Sequence, residues 1–168
     1  MGETLETSRT RTITWEDPLP AAKLGQTMSG LEYLQAIRSG EVPPPPIAVL
    51  LGMWIEEVRE GHVVFAFEPA EYHYNPIGTV HGGAAATLLD SALGCAVHSS
   101  LPAGTRYTTL QLNINYLRPI TDKTGTLYCE GNVIQVGGRV ATAEGRLTDA
   151  EGKLYAHGTT TCIILKAQ

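Results

Sequence analysis

The chain is predicted to be an α+β domain, an antiparallel sheet wrapped around one long central helix. Three observations carry this. Residues 82–99 form a proline-free run rich in Ala and Leu whose only charge is Asp90, and a helix apolar on every side belongs in a core. After it the pattern switches to period-two alternation, the mark of half-buried strands. There is no repeated strand–helix–strand alternation, which excludes the α/β class.

The elements follow in order. Residues 1–28 are polar and rich in Thr, Glu and Arg, with Trp15 as the one large anchor, and are expected to form a flexible arm. Residues 29–46 are a lead-in: Ser29 and Glu32 have the spacing of a capping box, Leu31, Leu34 and Ile37 follow at helical spacing, and Gly40 and Pro43 end the helix. Pro43 to Pro46 lack backbone donors and make a stiff extended connector. The main domain is assigned to residues 47–168, beginning with one or two helical turns over Ile47 to Leu51. Met53 to Glu60 and His62 to Glu68 are strands joined at Gly61, and Pro69 to Val80 is a polar loop able to carry a site. Strands are expected at Tyr107 to Arg118, Gly125 to Val136, Val140 to Asp149 and Leu154 to Leu165. Gly137-Gly138 and Glu151-Gly152 turn the chain between the last three, which must therefore be antiparallel neighbours. In the strand after the helix, Leu110, Leu112, Ile114 and Tyr116 share one face and Gln111, Asn113 and Asn115 the other.

Composition narrows the function classes. A chain of 168 residues, 43% hydrophobic, can bury the core of one domain. Its net charge of −5 argues against a nucleic-acid partner, which would call for a basic excess. No window approaches the ~20 apolar residues that span a bilayer, so no membrane partner is expected. No secretory signal is recognisable, and Cys95, Cys129 and Cys162 match neither a disulfide framework nor a metal site. The expected compartment is the cytoplasm, with neutral buried thiols, no metal and no cofactor. The charged fraction of 17% is low, as for a surface partly buried in an oligomer.

Three features carry chemistry. Asp90 is a carboxylate inside an uncharged helix, so it is either paired with a Thr or backbone donor or used in catalysis. His81-Gly82-Gly83 lies where the loop enters the helix, whose first N–H groups are unsatisfied and partly positive. They can bind a developing oxyanion, or the glycines can simply serve a tight turn. Asn75, in Asn-Pro-Ile-Gly, is either a turn residue or a polar group aimed into the site.

Together these residues read Asn75-x-x-Gly78-x-x-His81-Gly82-Gly83-x6-Asp90, and here the sequence resembles the hotdog-fold acyl-CoA thioesterases of the PaaI-like, phenylacetate-pathway branch. The strand Thr109 to Pro119 and the ending Gly152 to Gly158 share the likeness, which covers roughly residues 47–166. The resemblance implies hydrolysis of an acyl-CoA substrate to free acid and CoA. Asp90 matches the catalytic base or nucleophile, Gly82 the oxyanion donor, Asn75 the group that orients water or thioester, and His81 the support of loop and carbonyl. Gly83 falls in the substrate-binding turn. A hydroxyl on the next strand assists binding: alignment places it at Thr109, whereas strand parity favours Thr108. Met53, Trp54, Tyr72, Tyr74 and Leu89 are candidates for the acyl pocket.

Gly82 and Asp90 are eight residues apart, about 12 Å along one helix, too far for a single carbonyl to touch both. Two helices packed antiparallel across a two-fold axis bring them together. An obligate homodimer with composite active sites is therefore expected; the family's dimers often pair into homotetramers, and the sequence leaves that open. The alternatives are a hotdog hydratase or dehydratase using Asp90 with His81, and a non-catalytic acyl-CoA sensor.

Overall fold

The computed structural model describes residues 8–166. Among these, α1 spans Pro18–Gly25, α2 Gly30–Ser39, α3 Pro46–Leu51 and α4 Gly82–Ser99. The strands are β1 Met53–Arg59, β2 His62–Phe67, β3 Thr105–Tyr116, β4 Leu127–Val136, β5 Val140–Asp149 and β6 Leu154–Lys166. They make one six-stranded sheet in the order β1-β2-β4-β5-β6-β3, every pairing antiparallel. The α+β class and the sheet curled about one long helix are as the sequence predicts. No helix among the described residues is long and apolar enough to cross a membrane.

The core is the contact of α4 with the inner face of the sheet. Leu88, Leu89, Ala92, Leu93, Ala96 and Val97 of α4 are fully buried. They meet Val63, Phe65 and Phe67 of β2, Leu127 and Cys129 of β4, Ala141, Ala143 and Leu147 of β5, and Cys162 of β6. Helix and sheet come close at one rung of glycines: Gly131 pairs with Gly145, and a Cβ on Gly145 would lie 2.4 Å from Leu93 Cδ1; Gly158, paired with Gly145, lies instead against the Asn113 carbonyl of β3. A Cβ on Gly131 would sit 2.4 Å from the Ala92 carbonyl oxygen. Only hydrogen fits there.

The lead-in holds its predicted capping box, with the Ser29 N–H donating to Glu32 Oε2 at 2.9 Å and the Glu32 N–H to Ser29 Oγ at 3.3 Å. The proline connector is shorter than expected, because Pro46 is already in the first turn of α3, where its missing N–H costs nothing. Within residues 8–28 the sequence reading places no helix, yet α1 forms there: Asp17 caps it by accepting the Leu19 N–H, and Pro18 occupies the first turn. Trp15 remains 59% exposed and is not the anchor. Arg11 is. Its guanidinium donates to the Val49 and Leu50 carbonyls at the end of α3 and lies 4.1 Å over the Tyr72 ring.

The predicted face of β3 needs correction. Its register against β6 shifts between Thr109 and Gln111, a β-bulge that makes Leu110 an extra residue. Leu110 is thereby turned out and is 61% exposed, while Tyr107 and Thr109 join Leu112 and Ile114 on the side facing α4.

Candidate active site

The loop before α4 is built by its own polar groups. Asn75 Oδ1 accepts from the Ile77 and Thr79 N–H groups, and Asn75 Nδ2 donates to Thr79 Oγ1 at 3.1 Å. The Asn75 side chain thus closes a turn, with one Nδ2 hydrogen left over. The Val80 N–H donates to the Ile120 carbonyl and the His81 N–H to the His73 carbonyl, which pins the loop as it enters the helix.

His81 is the N-cap of α4. Its Nδ1 accepts the Gly83 N–H at 2.8 Å, and its carbonyl accepts the Ala84 N–H. An imidazole that accepts at Nδ1 carries its neutral-state proton on Nε2. The Gly83 N–H is therefore committed to the cap, whereas the Gly82 N–H has no partner among the described residues. Tyr116, which the sequence reading missed as a site residue, donates its hydroxyl to the Gly82 carbonyl at 3.2 Å. A Cβ on Gly82 would touch its ring at 3.4 Å, so a strand-end Tyr facing a helix-start Gly is the signal that could have found it. Thr79 to Gly82, Ala85 and Tyr116 to Ile120 wall a cavity of about 360 Å³ at this helix end.

Asp90 lies two turns further along, on the open stripe of α4 that it shares with Gly83 and Thr87. It is exposed in the protomer, in contrast to the leucines before it. Its Oδ1 accepts from Thr109 Oγ1 at 2.9 Å, and Oδ2 has no partner among the described residues. The bulge at Leu110 decides which threonine makes this bond. Thr108 points away from α4 and does not reach the carboxylate. The ground beside Asp90 stays uncharged: burial pushes the Cys95 thiol up to about 12, against the hydrogen bond from Tyr107, and burial also raises the Tyr107 phenol well above its ordinary value. Cys162 is likewise raised by burial.

The structure thus gathers Asn75, His81 and Gly82 at one end of α4, and Asp90 with Thr109 nearer its middle. Of the pocket candidates, Leu89 is buried in the core, Tyr72 and Tyr74 line a surface pocket beside Arg9 and Arg11, and Met53 and Trp54 line an apolar cavity under α2 and α3.

The sequence profile of the thioesterase superfamily matches residues 77–156, the stretch from the site loop through β5 into β6. A crystal structure of a provisionally assigned thioesterase from Ralstonia eutropha, related to phenylacetic acid degradation, is 32% identical, covers 78% of this chain and 98% of its own, and superposes with a TM-score of 0.71. The chain belongs to the thioesterase superfamily, in its PaaI-like hotdog branch. A hypothetical thioesterase from Streptococcus pneumoniae, crystallised with coenzyme A, is 30% identical to this superfamily member over 69% of this chain and 88% of its own, with a TM-score of 0.61. A protein of Halobacterium salinarum, provisionally named as an esterase, is 38% identical over 99 residues, 56% of this chain and 64% of that protein. The match thus spans less than two thirds of that relative's length.

Proposed function

We propose that the protein hydrolyses acyl-CoA thioesters at sites shared between two copies of the chain. The observation that carries this is Asp90, an exposed carboxylate on an otherwise apolar helix, oriented by Thr109 with one oxygen left over for chemistry. As base, Asp90 takes a proton from a water whose oxygen attacks the thioester carbonyl, and the tetrahedral intermediate expels CoA thiolate, which regains a proton. As nucleophile, Asp90 attacks the carbonyl itself, CoA thiolate leaves, and water hydrolyses the mixed anhydride. In either course the carbonyl oxygen gains negative charge, and the open Gly82 N–H at the positive end of α4 is suited to stabilise it.

In one protomer that N–H is about 12 Å from the level of Asp90 along the axis. A two-fold partner with its own α4 antiparallel places Gly82 of the partner subunit near Asp90. The open α4 stripe, the unpaired edge of β3 and the exposed apolar Ile77, Leu110 and Leu117 support such an interface. The acyl-CoA substrate is favoured by the relative holding coenzyme A. His81 serves as a cap acceptor through Nδ1, which leaves the hydratase alternative without a free shuttle at that nitrogen.

The first experiment is thiol release from a panel of acyl-CoA esters. Asp90→Asn is expected to lose at least about a hundredfold, or ~2.7 kcal/mol of barrier. Gly82→Pro deletes the N–H at a helix position that tolerates proline and is expected to lose roughly a hundredfold in kcat; Gly82→Ala, which puts the same Cβ 3.4 Å from the Tyr116 ring but keeps the N–H, is the control. Mixed dimers of the two variants should regain one intact site. No recovery would refute the shared site, and binding without turnover by the wild type would refute the hydrolase. Oxygen labelling of Asp90 in a single turnover separates nucleophile from base.

A further inference from the structure

A cavity of about 500 Å³ lies between the lead-in segment and the first two strands. Leu34 and Ile37 of α2, Pro44 and Pro45 of the connector, and Ala48 and Val49 of α3 form one side of it. Met53 and Ile55 of β1, Phe65 of β2 and Cys95 of α4 form the other. The cavity is open to solvent, since Pro44, Pro45 and Trp54 at its edge are exposed. It falls within the roughly 300–1,000 Å³ of small-molecule sites.

Its position relates it to Asp90. Cys95 follows Asp90 by five residues on α4, a rise of about 7.5 Å and a turn of about 140° round the helix. With carbon–carbon bonds of about 1.5 Å in a staggered zigzag, roughly six carbons cover the rise alone, which makes six a minimum for a chain that must also pass round α4. The chemistry of the walls is equally selective. Arg38 is the one charged lining residue among those described; it is exposed, and its Nε is held by the Glu56 carbonyl at 2.8 Å. The Trp54 indole N–H is already bound to Glu56 Oε2 at 2.9 Å. Apart from Arg38, which is exposed, the lining side chains thus offer a guest's polar group little beyond the Cys95 sulfur, and burying an ionised carboxylate away from that guanidinium is prohibitive.

Resting on the hydrolase reading, we infer that this cavity is the acyl chamber, that it selects uncharged hydrocarbon acyl groups of about six carbons or more, and that its limits are set by the lead-in segment through Ala48 and Val49. The residues that define the substrate thus lie on a different part of the chain from those that cleave it. Arg11, which holds the end of α3, keeps that wall in place.

The test compares acetyl-, hexanoyl-, adipoyl- and phenylacetyl-CoA. Adipoyl matches hexanoyl in length but ends in a carboxylate. The wild type should favour hexanoyl over acetyl by at least about tenfold in kcat/KM, since even two of the added methylenes, once buried, are worth about that factor, and over adipoyl by at least about tenfold because of the cost of burying the terminal carboxylate. Ala48→Phe, which fills the chamber, should cut the hexanoyl-to-acetyl ratio by at least about fivefold. Val49→Phe, at a less buried wall position, should do the same if Ala48→Phe fails to fold. In parallel, calorimetry with the non-hydrolysable thioethers S-hexyl-CoA and S-ethyl-CoA reads the chamber without chemistry. If esters are cleaved with no preference for length, or both folded variants keep the wild-type ratio, the chamber is wrong and the hydrolase stands. If no ester is cleaved but S-hexyl-CoA binds about tenfold tighter than S-ethyl-CoA, and the variants erase the difference, the chamber stands and the hydrolase reading falls.

Discussion

Replacing Gly131 with alanine should move α4 and little else. The new Cβ would lie 2.4 Å from the Ala92 oxygen and 2.5 Å from its carbonyl carbon, whereas ordinary contact begins at 3.4 Å. Both neighbours are backbone, so no side chain can swing away; α4 must retreat from β4 by about 1 Å, a gap that forfeits up to about half of each dispersion contact it opens. Leu88, Leu89 and Leu93, all fully buried, share that surface. The expected cost is at the upper end of overpacking, about 3 kcal/mol, or a fall in Tm of roughly 6–12 °C for a chain of this length. Because Ala92 is two residues from Asp90, the carboxylate moves too, and a 1 Å misplacement is worth about a hundredfold in rate. Urea unfolding and thiol release, read on the same preparations, measure the two effects. Gly138→Ala is the control, since nothing lies within 4 Å of its would-be Cβ. If Gly131→Ala is no less stable than Gly138→Ala, the glycine rung does not set the helix depth and the reasoning fails.

Other outcomes follow from single contacts. Thr109→Val should lower kcat/KM by about tenfold, near the low end for a hydrogen bond to an exposed carboxylate, with Thr109→Ser close to wild type; an equal loss in Thr108→Val would contradict the bulge assignment. His73 and His98 are held below the ordinary histidine range, chiefly by burial. The unfolded chain therefore binds more protons than the folded one as the pH falls below about 6.5, and stability should be lost there. Urea midpoints at about pH 7.5 and 5.5 test this; His98→Phe should shrink the difference, and a flat profile in the wild type would refute it. Arg11→Met should expose the segment before α1 to proteolysis while lowering global stability by less than about 1 kcal/mol, as suits an exposed contact; unchanged cleavage would show that the arm is held by something else.

Much of the fold was legible because its elements obey strict periods. The α4 run and the alternation in β4, β5 and β6 leave little choice of element, and Ser29 with Glu32 marks the start of α2 outright. Helix α1 escaped because the polar composition of residues 1–28 points to a flexible arm, although Asp17 before a first-turn proline is a start signal. The bulge at Leu110 escaped because no glycine marks it: a register shift lives in the pairing of two strands, and periodicity within one strand cannot reveal it. At the site, Asp90 stood out as a lone charge in an apolar helix. The local roles of His81 and Asn75 did not, since histidine is no favoured helix cap and an asparagine that closes its own turn looks the same in sequence as one aimed at a ligand.

The extra residue in β3 also makes the strand tolerant of error. Two threonines, Thr108 and Thr109, stand in succession just ahead of it. With the bulge in place Thr109 meets Asp90. Were the bulge ironed out by a one-residue slip, alternation would carry Thr109 outward and bring Thr108 inward. Were Leu110 deleted, Thr109 would keep its face. In each of these arrangements a hydroxyl is presented towards the carboxylate, so the contact withstands the framing errors that usually scramble a sheet. A chain drifting through insertions and deletions in this strand could thus cross from one register to another without passing through a sequence that lacks the hydroxyl.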